Sequence, residues 1–195
     1  MTELWLARHA ETAWTLSRQH TSVTDLSLTD RGERQARALG DRLANPGFDL
    51  VLSSPALRAR RTAEVAGLGE ALELDEDFRE WAYGEYEGVT TAEIRRKRPD
   101  WDLWRDGCPG GESVPEVAVR ADRVIARIRE RAPVRALLFG HGHMSRVLAA
   151  RWLGLEAQAG RLFVLGTGTL SIVGAEHGRP AIVLWNDGSH LSAVT

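Results

Sequence analysis

The hydrophobic positions of this chain form short apolar runs separated by longer amphipathic stretches. Each run has the length of a strand and few polar residues, which is typical of strands buried on both faces of a parallel sheet. These runs cover residues 4–7, 49–53, 72–74 and 136–139. Two later runs, 169–173 and 181–185, are joined by a turn and predict a terminal hairpin or two neighbouring strands.

Between these runs, apolar residues recur every three or four positions, as they do on the buried face of a helix. A helix is predicted over 30–44, and the next one has Ser54 as its N-cap and Pro55 in its first position. Further helices are predicted over 90–98, from Ser113 onward and over 144–153. Residues 11–25 and 101–111 show no clear period and are predicted to be loops.

Strands that alternate with helices predict an α/β fold with a doubly wound, mostly parallel central sheet flanked by helices. The chain has 195 residues, a length that one domain accommodates, so we expect a single domain over 1–195. Within it, residues 80–132 are predicted to form a helical excursion that acts as a lid.

Composition narrows the classes of function and the compartment. With 27% charged residues and a net charge of −2, the chain gives no reason to expect a nucleic-acid partner. The single cysteine, Cys108, excludes an intrachain disulfide and suits a reducing compartment, although a lone thiol can also be a nucleophile. No apolar stretch has the length of a membrane span, and the first residues enter a strand at once. We therefore expect a cytoplasmic protein without a membrane partner.

Candidate chemistry lies where three of the predicted strands end. Arg8 and His9 follow the first strand, Arg58 follows the second, and His141 follows the strand at 136–139. In open α/β sheets ligands bind at the carboxyl ends of the strands, so these side chains are expected to meet there. A guanidinium offers parallel donors to phosphoryl oxygens, and a cation near a helix N-terminus, such as Arg58, is unfavourable unless it meets an anion.

Four motifs carry a resemblance to a known family. They are Arg8-His9, a Ser-Pro-x-x-Arg that ends at Arg58, Glu80 before a Gly-x-x-Glu-Gly, and Gly140-His141. In this order they resemble the histidine phosphatase superfamily, also called phosphoglycerate mutase-like, over nearly the whole chain. The aromatic, acidic segment after Glu80 looks like the branch that contains acid phosphatases and sugar bisphosphatases.

The residues and the resemblance imply the same division of roles. His9 would attack phosphorus as a neutral imidazole and form a phosphohistidine, with its other ring nitrogen donating to a backbone carbonyl. Arg8 and Arg58 would bind phosphoryl oxygens, and His141 would add a further donor. Glu80, partly desolvated among aromatic side chains, would protonate the leaving group and then accept a proton from water. No metal and no cofactor are expected, because the cationic pocket neutralises the phosphate.

Two positions depart from the family pattern. Ala10 stands where the family usually has Gly, which is tolerated if its φ is negative. Thr15 stands where the family often has Asn, so one contact to phosphate is in doubt.

The substrate is expected to be a small phosphorylated sugar or acid. The residues predicted to bind it are Thr12, Arg18, His20, Thr21, Ser22, Arg105 and Gly142.

Other functions stay open at this point. A mutase would keep the phosphoryl group for transfer, although the excursion is short for one, and a sensor would bind phosphate without turnover. A metal hydrolase is disfavoured, because the side chains of His141 and His143 would point apart on a strand and no matching ligand cluster is present. His143 is expected to pack behind the site. The sequence leaves open the physiological substrate, the pH optimum and whether the protein is a homodimer.

Overall fold

A six-stranded sheet forms the centre of the computed structural model, which describes residues 2–194. In chain order the strands are β1 (Glu3–Arg8), β2 (Leu50–Ser53), β3 (Leu72–Leu74), β4 (Arg135–Gly140), β5 (Leu170–Glu176) and β6 (Arg179–Asp187). Their spatial order is β3-β2-β4-β1-β5-β6. The pairs from β3 to β1 are parallel, and β5 and β6 continue the sheet as an antiparallel hairpin. The predicted mostly parallel sheet is confirmed.

Seven α-helices connect the strands among the described residues. They are α1 (Ala13–Ser17), α2 (Asp30–Leu43), α3 (Leu57–Val65), α4 (Thr91–Lys97), α5 (Leu103–Asp106), α6 (Val114–Arg131) and α7 (Gly142–Trp152). Short 3₁₀ turns lie at Gly69–Ala71, Glu76–Phe78, Gly84–Tyr86, Ala157–Leu162 and Ser189–Leu191.

Both faces of the sheet are covered, as a doubly wound fold requires. On one face, Leu6 and Leu138 pack in a core with Ile128 of α6 and Leu148 of α7. On the other face, the side chains that alternate with these pack against α2 and α3; they include Trp5, Ala7, Leu137 and Phe139. The burial of both faces of β1 and β4 therefore explains why their runs, 4–7 and 136–139, have no polar positions.

Three local predictions differ from the structure. The helix after β2 begins at Leu57 with Ala56 as its N-cap, so Ser54 does not cap it; the Ser54 hydroxyl accepts the Ala56 N–H and belongs to the preceding turn. The predicted loops 11–25 and 101–111 contain the short helices α1 and α5. Helices of one turn are too short to show a hydrophobic period, and side-chain caps define them instead.

The predicted excursion 80–132 contains two different parts. Its first part holds α4 and α5, together with irregular backbone. Its second part is α6, whose apolar stripe, including Val124 and Ile128, packs in the core beneath the sheet. Among residues 2–194, no helix combines the length and the apolar character that a transmembrane span requires.

Candidate active site

Three neighbouring strands end at one edge of the sheet, and each end carries part of the predicted site. β1 ends at Arg8, which lies opposite Gly140 at the end of β4. β2 ends at Ser53, which lies opposite Phe139 of β4. Because these strands are parallel neighbours, the residues that follow them are brought together.

His9 follows β1 and is buried, with 4% of its surface exposed. Its Nδ1 lies 2.8 Å from the carbonyl oxygen of Ala10. A carbonyl oxygen can only accept, so Nδ1 carries a proton and donates it, which leaves a lone pair on Nε2. Burial, together with the charges of Arg58 and Arg8, holds the pKa of His9 well below its usual value. The ring is therefore a neutral imidazole with its lone pair on Nε2.

His141 lies beside His9 at the start of α7. The two ring centres are 5.3 Å apart, and the His141 side chain is fully buried. Its Nε2 is 2.7 Å from the hydroxyl oxygen of Ser54, while its Nδ1 has no hydrogen-bond partner among residues 2–194. Burial and the charge of Arg58 also hold the pKa of His141 well below its usual value.

Two arginines surround this pair of rings. Nη1 of Arg8 donates to the carbonyl oxygen of Leu165, and its guanidinium lies against Gly142, where a Cβ would come within 3.3 Å of Arg8 Cζ. Arg58 is completely buried. Within the described residues, the Nε atoms of both arginines are buried and have no hydrogen-bond partner.

The structure gives Arg58 a role that the helix-dipole argument did not predict. Its Nη1 and Nη2 atoms donate to the carbonyl oxygens of Thr21, Ser22 and Thr24, at 3.1–3.2 Å. Arg58 therefore holds the loop that follows α1, and its buried Nε has no partner among the described residues.

Glu80 caps the helix that follows His141. Its Oε1 accepts hydrogen bonds from the amides of Trp81, at 2.9 Å, and Met144, at 2.7 Å. Its Oε2 accepts one from the amide of His143, at 3.0 Å. The first N–H groups of a helix have no partner within it, so a carboxylate is favourable here. The buried carboxylate is thus held in one position by three donors.

A pocket of about 320 Å³ opens at this edge of the sheet. Arg8, His9 and Glu80 line it, as does Gly142. Arg18, His20 and Thr21, which were predicted to bind substrate, also line the pocket. Arg58 and His141 do not line the pocket and are buried near His9.

Three predicted substrate-binding residues do not line the pocket. Thr12 is buried and forms a reciprocal cap with Thr15 at the start of α1. The amide and hydroxyl of Ser22 donate to the carboxylate of Glu87. Arg105 is exposed, pairs with Asp106 at 2.8 Å and lines a separate cleft. Each of these side chains is engaged by a local partner, which a motif alone does not show.

The two departures from the family pattern have local explanations. Ala10 does not adopt a positive φ and is fully buried, so its methyl group fits as expected. The Thr15 hydroxyl bonds the backbone of Thr12, with both oxygen–nitrogen and oxygen–oxygen distances below 3 Å. This hydroxyl is therefore committed to the cap, although Thr15 lines the pocket.

Comparison with known families identifies the pattern. Residues 4–188 match the model of the histidine phosphatase superfamily, branch 1. The chain belongs to this family. Its recognition from the four motifs is confirmed, and the chain is a phosphatase of the histidine type.

Two relatives of this histidine phosphatase are named as phosphatases. An acid phosphatase of Mycobacterium tuberculosis is 43% identical over 178 residues, which cover 90% of this chain and 87% of the relative. The sedoheptulose 1,7-bisphosphatase of Saccharomyces cerevisiae is 37% identical over 185 residues, covering 78% of this chain and 68% of that protein.

Solved structures share the fold over nearly the whole length. The product of an open reading frame of Mycobacterium tuberculosis superposes with a TM-score of 0.90 at 39% identity, covering 95% of this chain and 97% of that chain. A mycobacterial glucosyl-3-phosphoglycerate phosphatase gives a TM-score of 0.85 at 26% identity, covering 96% and 99%.

Two residues that line the histidine phosphatase pocket, Tyr83 and Arg146, were not among the predicted site residues. Burial raises the pKa of Tyr83 well above its usual value, so its hydroxyl stays protonated, and it is hydrogen-bonded to Nδ1 of His143, 2.6 Å away. His143 therefore lines the pocket instead of packing behind it. Arg146 also lines the pocket, with its guanidinium 4.7 Å above the ring of Trp104. Arg146 could have been predicted from its spacing, because it lies four residues after Gly142 on the same helix and therefore on the same face.

The second histidine of the Gly-His-Gly-His run has a different environment from the first. His141 contacts Ser54, whereas His143 contacts Tyr83. Among residues 2–194, no group of three or more His, Cys, Asp or Glu side chains is arranged to hold a metal ion.

Proposed function

We propose that this chain hydrolyses phosphate monoesters of small metabolites through a phosphohistidine on Nε2 of His9. The observation that carries the proposal is a cluster of buried nitrogen atoms without hydrogen-bond partners in the described part of the chain: Nε of Arg8, Nε of Arg58 and Nδ1 of His141. Buried donors normally have acceptors, so their concentration around a neutral imidazole supports a site for an anion with several oxygens.

In the first step Nε2 of His9 attacks phosphorus, the P–N bond forms and the ester P–O bond breaks. Arg8 and Arg58 stabilise the equatorial oxygens through their free Nε donors. His141 can donate from Nδ1 when the Ser54 hydroxyl donates to its Nε2. Glu80, which faces the same pocket, gives a proton to the departing alkoxide.

In the second step water attacks the phosphohistidine and the P–N bond breaks. Glu80, now ionised, takes the proton of that water, which regenerates both residues. The carboxylate suits this role because its three amide donors stabilise the anion that forms in the first step. No metal enters either step of the proposal.

The charges that line the pocket favour small acidic substrates. It is lined by three arginines, Arg8, Arg18 and Arg146, and by a single carboxylate, Glu80. Phosphorylated sugars and phospho-acids with a second anionic group match this charge. The names of two relatives, a sugar bisphosphatase and a glucosyl-3-phosphoglycerate phosphatase, point to the same class. A cytoplasmic location, which suits the single cysteine, belongs to the same proposal.

The experiment is a substrate panel of sugar phosphates, phosphoglycerates and an aryl phosphate, each assayed with and without chelator. We expect release of inorganic phosphate that the chelator does not change. His9→Ala should abolish it, whereas His177→Ala, in the exposed turn between β5 and β6, should not. Rapid quenching should trap an acid-labile phosphoenzyme that His9→Ala lacks.

Other outcomes of the panel would contradict the proposal. Isomerised phosphoglycerate without phosphate release would assign a mutase, as the names of several relatives about 30–33% identical suggest. Phosphate binding without turnover of any substrate would assign a sensor, and loss of activity with chelator would assign a metal-dependent reaction.

A further inference from the structure

The backbone that carries Glu80 is held by an ion pair outside the pocket. Residues 79–83 form no helix or strand, so nothing in the local secondary structure fixes the position of Glu80. The ion pair joins Arg120 of α6 to Glu112, which lies just before that helix. Both side chains are mostly buried, with 13% and 20% of their surfaces exposed.

Arg120 donates to three carbonyl oxygens of this backbone. Nη1 reaches the carbonyl oxygens of Asp77 at 2.7 Å and Arg79 at 2.9 Å. Nη2 reaches the carbonyl oxygen of Glu80 itself at 3.3 Å. A planar guanidinium can hold several acceptors in a fixed arrangement, which an ammonium group cannot do.

Glu112 holds the other side of the same segment. Its Oε1 and Oε2 each lie 2.7 Å from a nitrogen of Arg120. Oε2 also accepts the amide of Ala82 at 2.8 Å, and the backbone N–H of Glu112 donates to the carbonyl oxygen of Ala82 at 2.9 Å. The carbonyl oxygen of Glu112 accepts the indole N–H of Trp81 at 2.9 Å.

We propose that the Arg120–Glu112 pair is a positioning device for Glu80, and that it sets the distance between the Glu80 carboxyl group and the leaving oxygen. This inference rests on the proposed function, in which Glu80 is the general acid. The backbone of Glu80 is bound through Arg120 to α6, while its carboxylate is bound to the first turn of α7. Loss of the pair releases the backbone half of this clamp.

The chemistry provides a readout that a loss of stability alone would not change. An alkyl phosphate needs a proton on its leaving oxygen, whereas dinitrophenyl phosphate releases a stable anion and needs none. Displacement of Glu80 should therefore slow cleavage of the alkyl phosphate and leave cleavage of dinitrophenyl phosphate almost unchanged. The parameter to compare is kcat/KM, because it reports the steps up to formation of the phosphoenzyme.

The test measures kcat/KM of glycerol phosphate and of dinitrophenyl phosphate for wild type, Glu80→Gln, Arg120→Met and Arg120→Lys. For Arg120→Met we expect a loss of about 10- to 100-fold on glycerol phosphate and less than about 3-fold on dinitrophenyl phosphate. Arg120→Lys, which keeps the charge, should recover part of the loss. In the Glu80→Gln background, Arg120→Met should add nothing to the difference between the substrates.

The matched control is Arg131→Met. Arg131 ends α6 and pairs with Glu73 of β3 at 2.6 Å, away from the Asp77 carbonyl that Arg120 holds. This variant should change kcat/KM for both substrates by the same factor. If Arg120→Met does not fold, Glu112→Gln takes its place, because the amide keeps one oxygen acceptor.

The outcomes separate this inference from the proposed function. Equal losses on both substrates, or no loss on glycerol phosphate, would overturn the positioning role. If Glu80→Gln itself shows no dependence on the leaving group, the assignment of Glu80 as the acid falls, and this inference falls with it. If Glu80→Gln shows that dependence and Arg120→Met does not, only the positioning role is overturned.

Discussion

Oε1 of Glu80 lies 2.7 Å from the amide nitrogen of Met144, in the first turn of α7. The carboxylate that faces the pocket therefore also completes the hydrogen bonding of a core helix. His141 precedes this helix and Gly142 begins it, so one contact fixes the acid relative to two other parts of the site. A substitution of Glu80 should therefore affect both the stability of the fold and the proposed catalysis.

We predict that Glu80→Ala destabilises the protein by roughly 1–2 kcal/mol, because buried amides lose their acceptor. Glu80→Gln should cost less than about 1 kcal/mol, since the amide oxygen can still accept from one N–H group. Urea unfolding measures both values. A Glu80→Ala variant as stable as Glu80→Gln would show that the capping hydrogen bonds contribute little.

We predict that stability falls as the pH is lowered through about 6.5, the usual pKa of histidine. Burial lowers the pKa values of four histidines, so at pH 5–6 the unfolded chain binds protons that the folded chain excludes; they are His9, His20, His141 and His143. Stability then rises with pH, by at most about 1.4 kcal/mol per pH unit for each such histidine. Unfolding at a series of pH values measures the slope.

His141→Gln should reduce that slope, because it removes one of the four histidines whose pKa burial lowers. His177→Gln is the control, since His177 is exposed in the turn between β5 and β6. A slope that stays the same in His141→Gln would mean that His141 is protonated equally in the folded and unfolded states.

The sequence was sufficient to predict the residues whose position depends on strand ends. Arg8, His9 and His141 each follow an apolar run, and the parallel register brings such ends to one edge. The helix starts at Thr90 and Ser113 were also predicted, and the structure closes each with a capping box whose two partners lie within one turn. Signals of this kind are local, or follow from the topology of the sheet.

The sequence was not sufficient to predict which partner a long polar side chain binds. Arg58 bonds carbonyl oxygens more than 30 residues earlier in the chain, and Arg120 bonds backbone about 40 residues earlier. Arg105 was expected near the substrate, yet Asp106, its neighbour in sequence, engages it. No period or motif encodes these choices, which depend on how loops pack after the sheet has formed.

We predict that Gly142→Ala impairs catalysis with little effect on folding. The new methyl group would lie 3.3 Å from Cζ of Arg8, so the guanidinium must move by a few tenths of an ångström. We expect kcat/KM to fall by about 3- to 10-fold, since misplaced binding groups weaken transition-state stabilisation. Gly47→Ala is the control, because its methyl group would meet nothing within 4 Å. Unchanged kinetics in Gly142→Ala would show that Arg8 adapts freely.

Arg146 should determine the preference for substrates with a second anionic group. Its Nε and Nη2 atoms donate to the carbonyl oxygens of Gly160 and Arg161, and its guanidinium stacks on Trp104. These contacts orient the group but do not neutralise it, because neither is with a carboxylate. An arginine held in this way at a pocket can bind an anion with little loss of side-chain entropy.

We therefore predict that Arg146→Met raises KM about 5- to 30-fold for bisphosphates and phospho-acids, the loss expected for one charge-assisted hydrogen bond. KM for a phosphate monoester with an uncharged aryl group should change by less than about 2-fold, because that substrate has no second anionic group to bind. Arg129→Met is the control, since Arg129 also stacks on a tryptophan, Trp152, but does not line the pocket. Equal changes for both substrate types would mean that Arg146 shapes the pocket through Trp104, and the second anion would then require Arg18 or another cation.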